Sequence, residues 1–214
     1  MNKAKLLFDV ARVLRNKEKI TGVINAFAQK DEEEVFTLRN EFSKQGDVAT
    51  TNVTCEVNLE GKRGKRESST EFSGSGPCCG SHLRRFFHHR HGTEGGNCVK
   101  GFFTRLSMVF GLFSAVKAEE KEGGAVLLSL NLSEVPEEVQ AHLKERLNHR
   151  GGCHGHCELP DGPHTVESLN GLLLLTLNGA REIEKISLHL DGRVVDRNEQ
   201  PHTMTATADV QFAW

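Results

Sequence analysis

A chain of 214 residues with 37% hydrophobic and 26% charged residues is long enough to fold as one domain that buries roughly 70% of the surface its unfolded chain exposes. Residues 1–214 are therefore read as a single domain that needs no disulfide or metal staple. A formal net charge of −2 excludes the strongly basic balance of a dedicated nucleic-acid binder, so any anionic partner must be met by a local patch.

The first residues, Met1-Asn2-Lys3-Ala4-Lys5-Leu6-Leu7-Phe8-Asp9, carry an apolar run of only three with no small-residue cleavage site behind it. That does not match a secretory signal. Lys3 to Asn16 places Leu6, Val10 and Val13 on one helical stripe with Leu7 and Leu14 beside it, which predicts an amphipathic helix of about four turns covering a sheet. From Ile20 to Phe72 the period changes to two, with Phe36, Leu38 and Phe42 on one strand face and Val53, Cys55, Val57 and Leu59 on that of another strand. Turn residues at Lys30-Asp31, Gln45-Gly46-Asp47 and Glu60-Gly61 divide this stretch into four strands. Short turns between consecutive strands predict an antiparallel meander.

Ser73 to Gly101 lacks periodicity and is rich in Gly, Ser, Cys, His and Arg, which predicts a long loop. Val99 to Lys117 then holds Phe102, Phe103, Leu106, Val109, Phe110, Phe113 and Val116, a helix apolar enough to be buried on most of its circumference. Its uncharged stretch, Leu106 to Val116, falls well short of the roughly 18 residues that span a bilayer. Gly124 to Leu132 predicts a strand with Leu128, Leu130 and Leu132 alternating. Ser133 to Asn148 predicts a helix with Val135, Val139, Leu143 and Leu147 four apart and Pro136 in its first turn. A second Cys/His-rich loop follows, over about 149–166. The last third returns to strands: Leu169 to Leu177, the Asn178-Gly179 hairpin signal, Glu182 to Leu190, and a final strand with Met204, Ala206, Ala208, Val210, Phe212 and Trp214 on one face. The predicted class is α+β, a curved, half-barrel-like antiparallel sheet of about seven to eight strands packed by about three helices.

This order of elements resembles the curved half-barrels of the LolA and LppX lipoprotein-carrier superfamily over most of the chain, and it is similar to uncharacterised bacterial proteins of the same layout. The resemblance implies an apolar ligand or lipid held against the sheet, with the helix from Phe102 to Phe113 closing a lipid-sized cavity. The missing export signal and the Cys/His-rich loops set this chain apart from that superfamily.

Thirteen of the chain's seventeen cysteines and histidines fall in two windows, residues 78–98 and 149–164, where an even spread would put about three. Thiolates and neutral imidazoles are the donors preferred by Zn(II), Ni(II), Co(II) and Cu(I), and a tetrahedral site must gather four of them within about 2.0–2.3 Å of the ion. Cys153-His154-Gly155-His156-Cys157 contains a C-x₃-C half-site, and Cys79-x₂-His82, with Cys78 beside it, offers a second. The candidate ligands are Cys153, Cys157, Cys78, Cys79 and His82, with His154 and His156 as alternatives and Zn(II) as the first expected ion. The expected function is non-catalytic metal binding, as a structural clamp between loops or as metal buffering. Surface loops with incidental Cys and His content are the plain alternative. A cytoplasmic address is expected, and in that reducing compartment six cysteines, including the vicinal Cys78-Cys79, read as thiols or ligands rather than disulfides.

Arg84-Arg85-Phe86-Phe87-His88-His89-Arg90, with Lys62, Arg63, Lys65 and Arg66 upstream, interleaves basic and aromatic residues as single-strand nucleic-acid binders do over a segment such as 62–90. A solvated hairpin end and two tucked phenylalanines explain the same residues, so no nucleic acid is expected. No H-E-x-x-H, nucleophile elbow, P-loop or dinucleotide fingerprint occurs, and no enzyme is expected. His142 and Glu145 read as a solvated helical face, and Cys55 as a small buried hydrophobe.

Overall fold

Asn2 starts the first helix, its Oδ1 accepting hydrogen bonds from the amides of Ala4 (3.1 Å) and Lys5 (3.2 Å). Helix α1 (Lys3–Asn16) ends with Arg15 in its last turn, the charge that suits the negative end of the helix dipole. The structure is a computed structural model that describes residues 2–59, 61–73, 111–150, 165–196 and 198–214. After α1 come β1 (Lys19–Lys30), β2 (Glu33–Gln45), β3 (Val48–Leu59) and β4 (Lys62–Ser73). The described part of α2 (111–115) leads into β5 (Lys117–Glu120) and β6 (Val126–Asn131), then α3 (Glu137–Arg150), β7 (Thr165–Leu177), β8 (Ile183–Val195) and β9 (Pro201–Ala213).

All nine strands belong to one antiparallel sheet in the order β4-β3-β2-β1-β9-β8-β7-β6-β5. It is two meanders sewn together by the first and last strands, which pair from Thr21–Ala213 to Lys30–Met204. The fold is α+β, as expected, with one strand more than the seven or eight anticipated. The additional strand is β5, whose sequence Lys-Ala-Glu-Glu carries a single inward-facing apolar residue and so too short an alternation to read. Register shifts at Ala28/Gln29, Val166/Ser168 and Thr176/Leu177 mark bulges, which bend the strands locally.

Local chemistry accounts for the element ends. Asp31 (φ 50°) and Glu32 (φ 69°) take the two left-handed positions of the β1–β2 turn, a conformation that aspartate tolerates better than most residues. The β7–β8 connection is not the two-residue Asn178-Gly179 hairpin that the sequence suggests. Asn178 Oδ1 instead accepts from the amides of Ala180 (2.9 Å) and Glu182 (3.0 Å), and the left-handed residue is Arg181 (φ 64°). The helix expected from Ser133 begins at Glu137 because Val135, which precedes Pro136, is forced into extended backbone (ψ 141°). The chain first makes a 3₁₀ turn over Leu132–Glu134, capped by Asn131. Of the helix expected over Val99 to Lys117, residues 99–110 lie outside the described residues, and the chain becomes a strand at Lys117.

The pleat sends Ile24, Leu38, Val53, Leu188 and Val210 to one face and their neighbours Asn25, Arg39, Thr54, Ser187 and Asp209 to the other. One face is thus mainly apolar from β1 to β3 and from β6 to β9, whereas the edge strand β4 places Lys62, Arg66, Ser68 and Thr70 on it. Among the described residues α1 covers part of this face: Leu6 and Val10 pack with Val126, Leu128, Leu177 and Ile183, flanked by Leu14, Ile186, Phe212 and Trp214. Val126 and Leu177 are the fully buried side chains of this cluster. The indole N–H of Trp214 donates to the Ile183 carbonyl (2.9 Å), and the Lys17 ammonium sits 5.4 Å over the ring while pairing with Glu182.

β6 pairs only with the lower half of β7, as far as Asn131–Leu172, and β5 pairs with β6. Above them α3 takes over the free edge of β7, where Lys144 Nζ donates to the Glu167 carbonyl (3.3 Å) and the Val166 amide donates to Asn148 Oδ1 (2.8 Å). Those groups would otherwise be an open strand edge. Two leucines on opposite faces of β7 test this account. Leu177→Ala should cost about 2–5 kcal/mol in urea unfolding followed by Trp214 fluorescence, whereas Leu172→Ala, 38% exposed on the polar face, should stay within about 0.5 kcal/mol. Equal losses would place the core elsewhere.

Candidate functional site

The sequence-predicted ligands Cys78, Cys79, His82, Cys153, His154, His156 and Cys157 all lie outside the described residues. What the structure does place are the anchors of the two loops. Residues 151–164 connect α3 to β7, whose facing ends the Val166–Asn148 hydrogen bond (2.8 Å) holds together. Ser73, from which the chain runs to Cys78, Cys79 and His82, pairs with Val48 at the other end of the strands, on the far edge of the sheet. Among the described residues, no group of three or more His, Cys, Asp or Glu is arranged to hold a metal ion. Cys55 is a free thiol, half-buried on the apolar face rather than sealed in a core.

A polar cluster that the sequence did not announce lies at the upper end of the sheet. Asp31, in the β1–β2 turn, accepts from the Thr203 amide (2.8 Å) and hydroxyl (3.2 Å) and shares a 2.6 Å hydrogen bond with His202 Nδ1. The Asp31 amide in turn donates to the Thr203 carbonyl (2.9 Å). His202 Nε2 is buried without a hydrogen-bond partner and faces Asp196 Oδ2 at 3.6 Å. Asp196 is held by the amides of Asn198 and Gln200, both at 2.8 Å. One imidazole, its side chain 21% exposed, thus bridges two hairpin turns through two carboxylates. The arrangement can clip the turns together, and no hydroxyl or thiol nucleophile is hydrogen-bonded to the ring among the described residues. Sequence offered no signal for it, because Asp31 and His202 are 171 positions apart.

The apolar face over β1, β2, β3 and β9 is the other site-like feature. Ile24, Leu38, Phe42, Val53, Val57 and Val210 are all half-buried there, and none is sealed. Phe42 reaches the covered half through an aromatic chain. Its ring stands edge-on to Phe212 (5.7 Å, 72°), which stacks on Trp214 (5.7 Å, 11°). Gly22 of β1 makes room for this, since a Cβ there would lie 2.5 Å from Phe42 Cζ and from the Gln211 carbonyl. A groove of about 530 Å³ there is open and mixed in character, with Thr21, Glu41, Thr50, Asn52 and Gln211 beside Phe42 and Phe212. Most of the helix from Phe102 to Phe113 that the resemblance expects to close a lipid-sized cavity lies outside the described residues.

The upstream basic residues are divided by the pleat. Lys62 and Arg66 point to the apolar side of β4, and Arg63 and Lys65 to the polar side. Lys65 already pairs with Glu67 (3.0 Å) and Glu56 (3.5 Å).

No family model matches this chain, and no curated protein matches it. Among solved structures it is similar to an N-terminal dehydratase from the difficidin assembly line, at 10% identity over 99% of this chain and 85% of that one, with a TM-score of 0.17. It is similar also to the tesB protein of Mycobacterium avium subs. paratuberculosis, at 9% identity over 99% and 86% of the two chains, again with a TM-score of 0.17. Likenesses at this TM-score carry no argument about fold, site or activity. No helix among the described residues is long and apolar enough to cross a membrane.

The clip makes a pH prediction. The hydrogen bond from His202, followed by the Thr203 amide, holds the Asp31 carboxyl below its ordinary value of 3.8, and the Gln200 amide chiefly does the same for Asp196. A folded-state value below the unfolded one stabilises the fold fully above the unfolded value and is lost as pH falls through the folded one. The window therefore lies below about pH 4. Between about pH 5 and pH 3 the wild type should lose more stability than Asp31→Asn, measured as urea midpoints. A steeper loss in the variant would contradict the clip.

Proposed function

We propose that this protein binds a borderline or soft transition metal without catalysis, with Zn(II) the first candidate and Ni(II), Co(II) or Cu(I) as alternatives. One observation carries the reading: the chain's Cys and His donors are crowded into two sequence windows, and the ends of the 151–164 segment are held together by α3 and β7. A loop with fixed ends has less entropy to lose on closing around an ion. Cys153 and Cys157 act as thiolate ligands there, with His154 and His156 as further donors. Cys78, Cys79 and His82 form the second donor group.

The anchors favour buffering at two loops over a single clamp. Cys79 is within about 21 Å of Ser73 and Cys153 within about 11 Å of Arg150 along the chain, together less than the roughly 40 Å length of the strands that separate the two anchors. In this reading the protein works in a reducing cytoplasm, where the vicinal Cys78-Cys79 stays a dithiol. Elemental analysis of untagged protein purified without chelators should find at least one metal per chain. Cys153→Ser with Cys157→Ser should remove part of the metal, and Cys79→Ser with His82→Ala the remainder, additively. Affinity should fall as pH drops through the imidazole range of about 6–7. Trace metal together with no Zn(II) affinity at neutral pH would rule the reading out, and loss of all metal in either variant would favour a clamp.

A second reading rests on a different observation, the half-buried apolar face of β1, β2, β3 and β9. An extended acyl chain lying on that face would give the carrier role that the LolA and LppX resemblance implies. A fluorescent fatty acid should then bind saturably and be displaced by unlabelled fatty acid, and Val53→Asp should weaken it tenfold or more, since a carboxylate on that face repels an apolar ligand. Absence of saturable binding would end this reading and leave the first untouched.

A further inference from the structure

We propose that β4 is a homodimer edge, pairing antiparallel with β4 of a second copy so that the two nine-stranded sheets continue into each other. β4 is the outermost strand at its side of the sheet, and every one of its residues is exposed. It pairs with β3 without a register shift from Val48–Ser73 to Leu59–Lys62, and it contains no proline. Among the described residues nothing lies on its outer edge. Such a strand presents unpaired amides and carbonyls along its whole length, the template for strand addition.

The charge order of β4 says which partner fits. Its first half, Lys62-Arg63-Gly64-Lys65-Arg66, is basic, and its second, Glu67-Ser68-Ser69-Thr70-Glu71, is acidic. A copy running in the opposite direction therefore lays basic half on acidic half. Residues that face each other across a two-fold axis must lie on the same side of the pleat, which restricts the registers to steps of two. The register centred on Ser68 places Lys65 opposite Glu71 twice, Glu67 opposite Ser69, Arg66 opposite Thr70 and Phe72 opposite Gly64. A ring across a strand glycine covers backbone that no side chain shields. Moving one step sets Glu67 against Glu67 in one direction and against Glu71 in the other. A further step in the first direction sets Arg66 against Arg66. The centred register is the long pairing free of opposed like charges. Like charges directly opposite would be a device against self-association, and β4 in this register has none.

The test uses the whole chain in sedimentation equilibrium over about 1–500 µM, at low and at physiological salt. Wild type should show a monomer–dimer equilibrium that weakens with salt. Lys65→Glu and Glu71→Lys should each weaken self-association by roughly tenfold or more, because each sets two like-charge pairs across the axis. Mixed in equal amounts, the two variants should form a heterodimer, because both cross-strand pairs are then of opposite sign. Hydrogen exchange provides a second readout: amides of residues 62–73 should gain protection as the wild-type concentration rises, and those of β8 should not change. A monomer throughout the range overturns the proposal. So does a dimer that neither variant weakens, or a pair of variants whose mixture stays monomeric.

Discussion

Burial of Leu6 and Val10 against Val126, Leu128, Leu177 and Ile183 is the interaction on which the rest of this fold depends. A sheet of nine strands needs something on its apolar face, and among the described residues α1 supplies it over the lower halves of β5 to β8, while Val135 and Val139 are buried at the start of α3. Trp214 seals the rim of that contact. Its ring covers apolar side chains, its N–H finds the Ile183 carbonyl, and Lys17 approaches its face while pairing with Glu182. The last residue of the chain thereby fastens β9 to the core, and β9 in turn fastens β1.

From there order passes outward by strand pairing and by one aromatic chain. Phe42, Phe212 and Trp214 link β2 to β9 across Gly22, so the β1–β4 meander is tied to the core at its lower end. At the upper end the tie is polar: Asp31, Thr203, His202 and Asp196 join the β1–β2 and β8–β9 turns. Between these two ties the apolar face is half-exposed. The two functional readings differ in where they use this scaffold. The metal reading uses the Cys/His windows, of which the 151–164 segment has its ends tied by the scaffold, and the apolar-ligand reading uses the open face itself.

The two-residue period from Ile20 to Phe72 was enough to place β1 to β4 and their turns, because alternation on a one-sided sheet is a strong and local signal. The same signal was too short for β5, whose four residues include one apolar side chain. Pro136 was legible as a helix-start residue, yet its effect on Val135 moved the start of α3 to Glu137. Asn178-Gly179 carried a turn signal whose geometry was decided by the Asn178 side chain and Arg181. The His202 clip was not legible at all, since it is assembled by the pairing of β1 with β9. The Cys/His windows were legible as composition, and composition fixes which donors are near one another in sequence without fixing which meet in space.

The central claim is that the core under α1 supports a sheet whose far half, among the described residues, is held mainly by its own ladder. Native-state hydrogen exchange at residue resolution tests it most directly. The account predicts that amides of β7 and β8 around Leu175, Leu177 and Ile186 exchange only through global unfolding, while those of β3 exchange through local openings at lower free energy. Protection in β3 equal to that in β7, with the same denaturant dependence, would contradict it.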